Sequence, residues 1–150
     1  MQLRIKFLLT FSILLVVAHS IFGQKNKSDS FEVVVHQIAS ANVYEMSYTI
    51  GYKGSVSKQH LRFEQLLLIA TDSQLLQLAS KHTNGVVRLY AYQALKKRKS
   101  LIPQTVVQQF KNDVQKVITF NGCIGAERTI AALAELDYTV SSTQNLTTSQ

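Results

Sequence analysis

Residues 72–95, with the sequence DSQLLQLASKHTNGVVRLYAYQAL, decide the fold because two helical patterns flank a polar turn. Thr71 is a helix-capping residue type, and leucine and alanine side chains follow it at the spacing of one helical face. The turn is His-Thr-Asn-Gly, residues 82–85. The second helix, residues 86–98, has an apolar stripe formed by Val87, Ala91, Ala94 and Leu95. Because two members of the stripe are alanines, the pattern predicts a helix that a second helix can approach closely.

The segments on either side of this pair also favour helices. Leucine and phenylalanine side chains recur every three or four residues in 57–70, and a proline suits the first turn of a helix at 103–113. Residues 32–42 have helical spacing, although their run of three valines is equally compatible with a strand. Residues 127–137 are expected to form the last helix.

Two stretches carry weaker patterns. Residues 43–56 hold two glycines and three tyrosines, and the glycines indicate that a helix ends there and runs into a loop. We expect the tyrosines to cover the edge of the core. Residues 114–126 are rich in β-prone side chains and contain two glycines. They predict an extended or short-helical piece, followed by a turn at Asn121–Gly122.

The pattern in residues 72–95 resembles the HEAT repeat, an α-helical hairpin that stacks into solenoids. The resemblance lies in the Leu-x-x-Leu end of the first helix and in the V-R-x-x-A-x-x-A-L pattern of the second, at Val87, Arg88, Ala91, Ala94 and Leu95. It implies an all-α fold, a short right-handed stack of two to three helix pairs over residues 31–140. It also implies a structural role for Arg88, which would hold neighbouring turns through carbonyls or an acid.

A looser resemblance covers more of the chain. It looks like small secreted bacterial proteins that carry one HEAT-like unit and a Gly-Cys-Ile segment, here Gly122, Cys123 and Ile124. The chain departs from the repeat in one respect, because Asn84-Gly85 stands where a proline is usual. A HEAT-like fold implies binding or scaffolding more often than catalysis, and it implies no particular ligand.

Residues 1–23 have the order of a secretory signal peptide. A start with two basic residues precedes an apolar run at 7–18, and small residues follow it. Cleavage after Ser20 or after Gly23 fits this order. An uncleaved membrane anchor is the alternative, but a spanning helix needs about 20 apolar residues. We therefore expect export to the periplasm or the extracellular space.

The charge of the mature chain argues against nucleic acid as a ligand. Removing the leader lowers the net charge from +7 to about +5, because two of the 16 basic residues lie in it and none of the 9 acidic residues does. Nucleic-acid-binding proteins usually cluster Lys and Arg among aromatic side chains. The remaining ends are polar, so residues 24–30 are expected to be flexible and residues 141–150 to form a disordered tail.

One basic cluster stands out, at Lys96, Lys97, Arg98 and Lys99. It is a candidate binding site for an anionic surface such as a lipid headgroup layer. The alternative is structural, because cations at the carboxyl end of a helix offset its partial negative charge.

Candidate catalytic groups are few. Cys123, the single cysteine, is either a reactive thiol or a small apolar residue of the core. The mature chain has three histidines without metal-binding spacing, at His36, His60 and His82, so we expect no metal and no cofactor. The sequence favours a secreted or periplasmic, non-catalytic module that binds an unknown protein or peptide. The alternatives are an exported enzyme or redox factor that uses Cys123, and a lipid-associated envelope protein.

Overall fold

The structure, a computed structural model, describes residues 30–136. The predicted leader at 1–23, residues 24–29 and the predicted tail at 141–150 lie outside these residues. No helix in the described part of the chain is long and apolar enough to cross a membrane.

The fold is a mixture of helices and strands, so the expected all-α helical stack is wrong. The helices are α1 (residues 30–41), α2 (Lys58–Ile69), α3 (Asp72–Lys81), α4 (Gly85–Arg98), α5 (Gln104–Lys111) and α6 (Ile130–Ala134). The strands are β1 (Val43–Glu45), β2 (Thr49–Ile50), β3 (Ser55–Val56), β4 (Lys116–Asn121) and β5 (Ile124–Thr129).

Helix α4 forms the centre of the core. All its residues from Gly85 to Leu95 are buried except Arg88, and α2, α3, α6, β1 and β4 all contact it. The Asn84 side chain accepts hydrogen bonds from the N–H groups of Val86 and Val87 and so caps the helix. A glycine follows because a Cβ atom at position 85 would lie 2.7 Å from Cδ1 of Ile130.

A three-stranded sheet in the order β1-β4-β5 packs beside the helices. Strand β4 alternates as a half-buried strand does, with Val117 and Thr119 buried and Ile118 and Phe120 exposed. It pairs antiparallel with β5 through a two-residue turn, residues 122–123, one residue later than predicted. Strand β5 therefore takes in residues 127–129, which the sequence pattern assigned to the last helix.

Strand β1 pairs parallel with β4, with Val43 opposite Ile118 and Glu45 opposite Phe120. Strands β2 and β3 form a separate hairpin. The predicted helix end at 43–56 is therefore wrong, because this stretch forms β1 and the β2–β3 hairpin. Its glycines allow the hairpin to turn, since Gly51 has a φ of +71° and Gly54 a φ of +63°.

Candidate binding edge of the sheet

One edge of the three-stranded sheet, along β1, is closed by side chains. The Tyr90 hydroxyl accepts a hydrogen bond from the Glu45 N–H at 3.0 Å and donates to the Glu45 carbonyl at 3.3 Å. The amide of Gln59 donates to the Val43 carbonyl at 2.8 Å. These bonds satisfy backbone groups that an edge strand would otherwise present to another chain.

The opposite edge, along β5, is open as far as the described residues are concerned. Phe120 in β4 accepts a hydrogen bond from the Met46 N–H on the β1 side. Its antiparallel partner Gly125 must therefore direct its own N–H and C=O away from β4, and so must Glu127 two residues further on. Within residues 30–136, no hydrogen bond reaches the backbone of Gly125 or Glu127. Strand β5 thus presents two residues that are ready to pair with an added strand.

A cleft of about 270 Å³ lies beside this open edge. Its lining residues come from β4, β5 and the two chain segments next to them, and they are Met46, Thr119, Asn121, Ile124, Ala126, Arg128 and Leu136. The Thr119 hydroxyl donates to the Ala126 carbonyl at 3.0 Å, so this polar group is already used within the sheet. Pockets for small-molecule ligands usually measure about 300–1,000 Å³. The volume of the cleft lies just below the lower end of this range.

Among the described residues that line the cleft, Arg128 is the one with a charged side chain. It is exposed and makes no ion pair with any described residue. The neighbouring Glu127 points to the other face of the sheet, where its carboxylate lies 3.2 Å from the Nζ of Lys116. The cleft therefore has a cation available for an acidic ligand.

The other face of β5 is fitted to an aromatic side chain. A Cβ atom at Gly125 would lie 2.8 Å from Cε1 of Phe120. The Phe120 ring therefore occupies the space over Gly125, and this contact fixes glycine at one of the two residues with outward-facing backbone groups.

A second polar cluster lies at the start of α2 and is a helix cap. The buried Glu45 carboxylate accepts the Ser57 hydroxyl and, at 3.4 Å, the Gln59 N–H. The Ser57 Oγ in turn accepts the backbone N–H of His60 at 2.8 Å. The Ser57 hydroxyl donates a hydrogen bond to Glu45 and accepts one from the His60 N–H. This serine therefore caps the amino terminus of α2.

His60 is 4% exposed, and its imidazole packs edge-on against Tyr48. Burial lowers the pKa of His60, and nearby Lys97 lowers it further, whereas the Glu64 carboxylate at 3.8 Å raises it. Burial is the largest of these effects. The ring is therefore held in its neutral form more strongly than a free histidine.

Three of the four residues in the predicted basic binding site make contacts within the protein. Lys96 donates to the carbonyls of Ala134 and Leu136, at the end of α6. Lys97 forms an ion pair with Glu64 at 2.8 Å and lies over the ring of Phe63.

Arg98 has the most extensive contacts in this cluster. It pairs with Asp72 at 2.7 Å and donates to the carbonyls of Leu67 and Ala70, at the end of α2. The Ser100 hydroxyl and Arg98 together lower the pKa of the Asp72 carboxyl. Lys99, the fourth residue, is exposed in the left-handed cap position that ends α4.

The residues of the HEAT-like pattern lie in and beside the core. The stripe of Val87, Ala91, Ala94 and Leu95 is buried. Arg88 donates to the carbonyls of His82 and Thr83 and pairs with Asp113 at 2.6 Å. It therefore connects the start of α4 to the segment between α5 and β4.

Cys123 is exposed at the tip of the β4–β5 turn, so its interpretation as a buried core residue is wrong. Across residues 30–136, no group of three or more His, Cys, Asp or Glu side chains is arranged to hold a metal ion.

Sequence reasoning missed the open edge and the cleft residue Arg128. The sequence pattern predicts Arg128 at the start of a helix, because the apolar residues that follow it have helical spacing. The available signal was the run of β-prone side chains at 117–120 before a Gly-containing turn, which is typical of the first strand of a hairpin. The chain matches no protein-family model and no curated protein.

Proposed function

We propose that this protein is an exported, non-catalytic interaction module that binds an extended polypeptide segment along β5. The segment would add a fourth strand to the three-stranded sheet, a common mode of peptide recognition. The observation that carries this proposal is the contrast between the two sheet edges. Tyr90 and Gln59 close the β1 edge, whereas the outward groups of Gly125 and Glu127 have no partner in the described chain.

The helices supply a rigid support for this edge. Strand β5 continues into α6, which packs against α4, and the Gln93 amide donates to the Leu133 and Leu136 carbonyls at 3.2 and 2.8 Å. A strand held in this way loses little conformational entropy when a ligand pairs with it. The HEAT-like pattern of α3 and α4 agrees with a binding role.

Export is part of the same proposal and rests on the leader-like order of residues 1–23. We expect the amino terminus of protein purified from its native host to lie within Ser20–Gln24. Intact-mass analysis of the secreted or periplasmic fraction tests this expectation. Full-length protein that retains Met1 in the cytoplasmic fraction would contradict it.

A proline substitution on the open edge tests the binding mode. Glu127→Pro removes an outward N–H and places a ring where an added strand would lie, whereas Glu127→Ala removes only the carboxylate. The probe is a fluorescently labelled TVTVTDT peptide with blocked ends, titrated by fluorescence anisotropy. We expect Glu127→Pro to weaken binding about tenfold or more, since it removes a hydrogen bond and blocks the approach. Glu127→Ala should bind as the wild type does.

Circular dichroism and thermal melting show whether both variants fold. Equal binding by a folded Glu127→Pro variant and by the wild type would exclude strand addition at β5.

A further inference from the structure

We infer that the ligand of this edge is an extended segment in which an acidic residue follows or precedes an apolar residue with one residue between them. This inference rests on the proposed function and adds the ligand's chemistry to it. The acidic residue would pair with Arg128, and the apolar residue would enter the cleft beside Ala126.

The charge of the site selects the acidic residue. Arg128 is exposed in the lining of the cleft and has no ion-pair partner within residues 30–136. The planar guanidinium binds a carboxylate through two parallel hydrogen bonds. Without the leader, which holds two of the 16 basic residues and none of the 9 acidic ones, the chain carries a net charge of about +5, which attracts an acidic segment and opposes the approach of a second copy of this protein.

The shape of the site selects the apolar residue. Ala126 lies on the same face of β5 as Arg128, and its methyl group leaves space above it that a larger side chain would fill. Met46, Ile124 and Leu136 border this space with apolar atoms. A valine or leucine side chain from an added strand would therefore be removed from water there.

The spacing follows from strand geometry. Ala126 and Arg128 are two residues apart, which places them about 6.8 Å apart along the strand, at 3.4 Å per residue. An added strand has the same repeat, so the residues that face the cleft and Arg128 are also two apart. The pattern reads apolar-x-acid in one strand direction and acid-x-apolar in the other.

The test uses three blocked heptapeptides on the full chain. TVTVTDT and TDTVTVT carry the pattern in both directions, and TVTVTNT replaces the acid with its neutral isostere. We expect one of the two acidic peptides to bind about fivefold more tightly than TVTVTNT, which corresponds to about 1 kcal/mol for an exposed ion pair. Arg128→Gln should abolish this preference without weakening TVTVTNT. Arg62→Gln, a change of an arginine outside the cleft, should leave the preference unchanged.

The outcomes separate this inference from the proposed function. If all three peptides bind equally, and Glu127→Pro still weakens them, the edge binds strands but the acidic pattern is wrong. If no peptide binds, both proposals fail. Sedimentation that shows a dimer in the wild type and a monomer in Glu127→Pro would identify a second copy as the occupant and overturn the inference.

Discussion

The hydroxyl of Tyr90 on the central helix bonds both the backbone N–H and the carbonyl of Glu45 on the first strand, at 3.0 and 3.3 Å. Tyr90 is fully buried, and its ring lies 4.7 Å from that of Tyr44. One side chain therefore joins the helical core to the sheet and closes the sheet's edge. Among the residues that the structure describes, none closes the opposite edge in this way, and this asymmetry is the basis of the functional proposal.

Tyr90→Phe removes this hydroxyl and leaves two buried backbone groups without it. We expect the free energy of unfolding to fall by about 1–3 kcal/mol, the cost of an unsatisfied buried polar group. Chemical denaturation followed by circular dichroism measures the change. Tyr92→Phe is the matched control, since Tyr92 stacks on Phe110 and no hydrogen bond to its hydroxyl is seen in residues 30–136. An equal effect of the two substitutions would contradict the role of Tyr90.

The basic cluster gives a second pair of variants. Arg98→Gln should lower the free energy of unfolding by about 1–3 kcal/mol, because it removes the contacts to Asp72 and to the two carbonyls at the end of α2. Lys99→Gln should change it by less than about 0.5 kcal/mol, since Lys99 is exposed. Thermal and urea denaturation of both variants measure these changes in the free energy of unfolding. A larger loss for Lys99→Gln than for Arg98→Gln would refute the structural role of Arg98.

The buried imidazole of His60 makes stability depend on pH. Its pKa in the folded protein lies below the ordinary value of 6.5, mainly because of burial. The unfolded chain therefore binds a proton more readily, and stability falls as the pH drops below about 6.5 toward the folded pKa. Glu64 and Lys97 are the charged groups that act on this ring.

The comparison of wild type with His60→Gln isolates this contribution. When the pH is lowered from 7.5 to 5.5, the wild type should lose stability relative to His60→Gln. Urea denaturation at both pH values measures the shift. A difference that stays constant, or that moves toward the wild type at pH 5.5, would show that the folded pKa is not lowered.

The helical half of the fold could be predicted because its signals are local. Thr71 forms a capping box with Gln74, and Asn84 caps the next helix, so the ends of α3 and α4 follow from neighbouring residues. The stripe of α4 then identifies its place in the core. These features depend on residues only a few positions apart.

The sheet could not be predicted in the same way because its pairing is non-local. Val43 and Ile118 pair in the sheet although they lie far apart in the sequence. Neither segment alone indicates this contact. Strand β5 has the sequence IGAERT, which lacks an apolar alternation, and it is extended because β4 pairs with it. Arg128 belongs to this strand, so its position in the cleft could not be predicted from the sequence either.

Amide hydrogen exchange along β5, measured by NMR with and without saturating TVTVTDT peptide, tests the strand-addition account most directly. In the free protein the N–H groups of Ala126 and Arg128, which face β4, should exchange slowly, and those of Gly125 and Glu127 should exchange fast. Peptide binding should slow exchange at Gly125 and Glu127 by about tenfold or more. Unchanged fast exchange at both residues in the peptide-saturated protein would contradict the account.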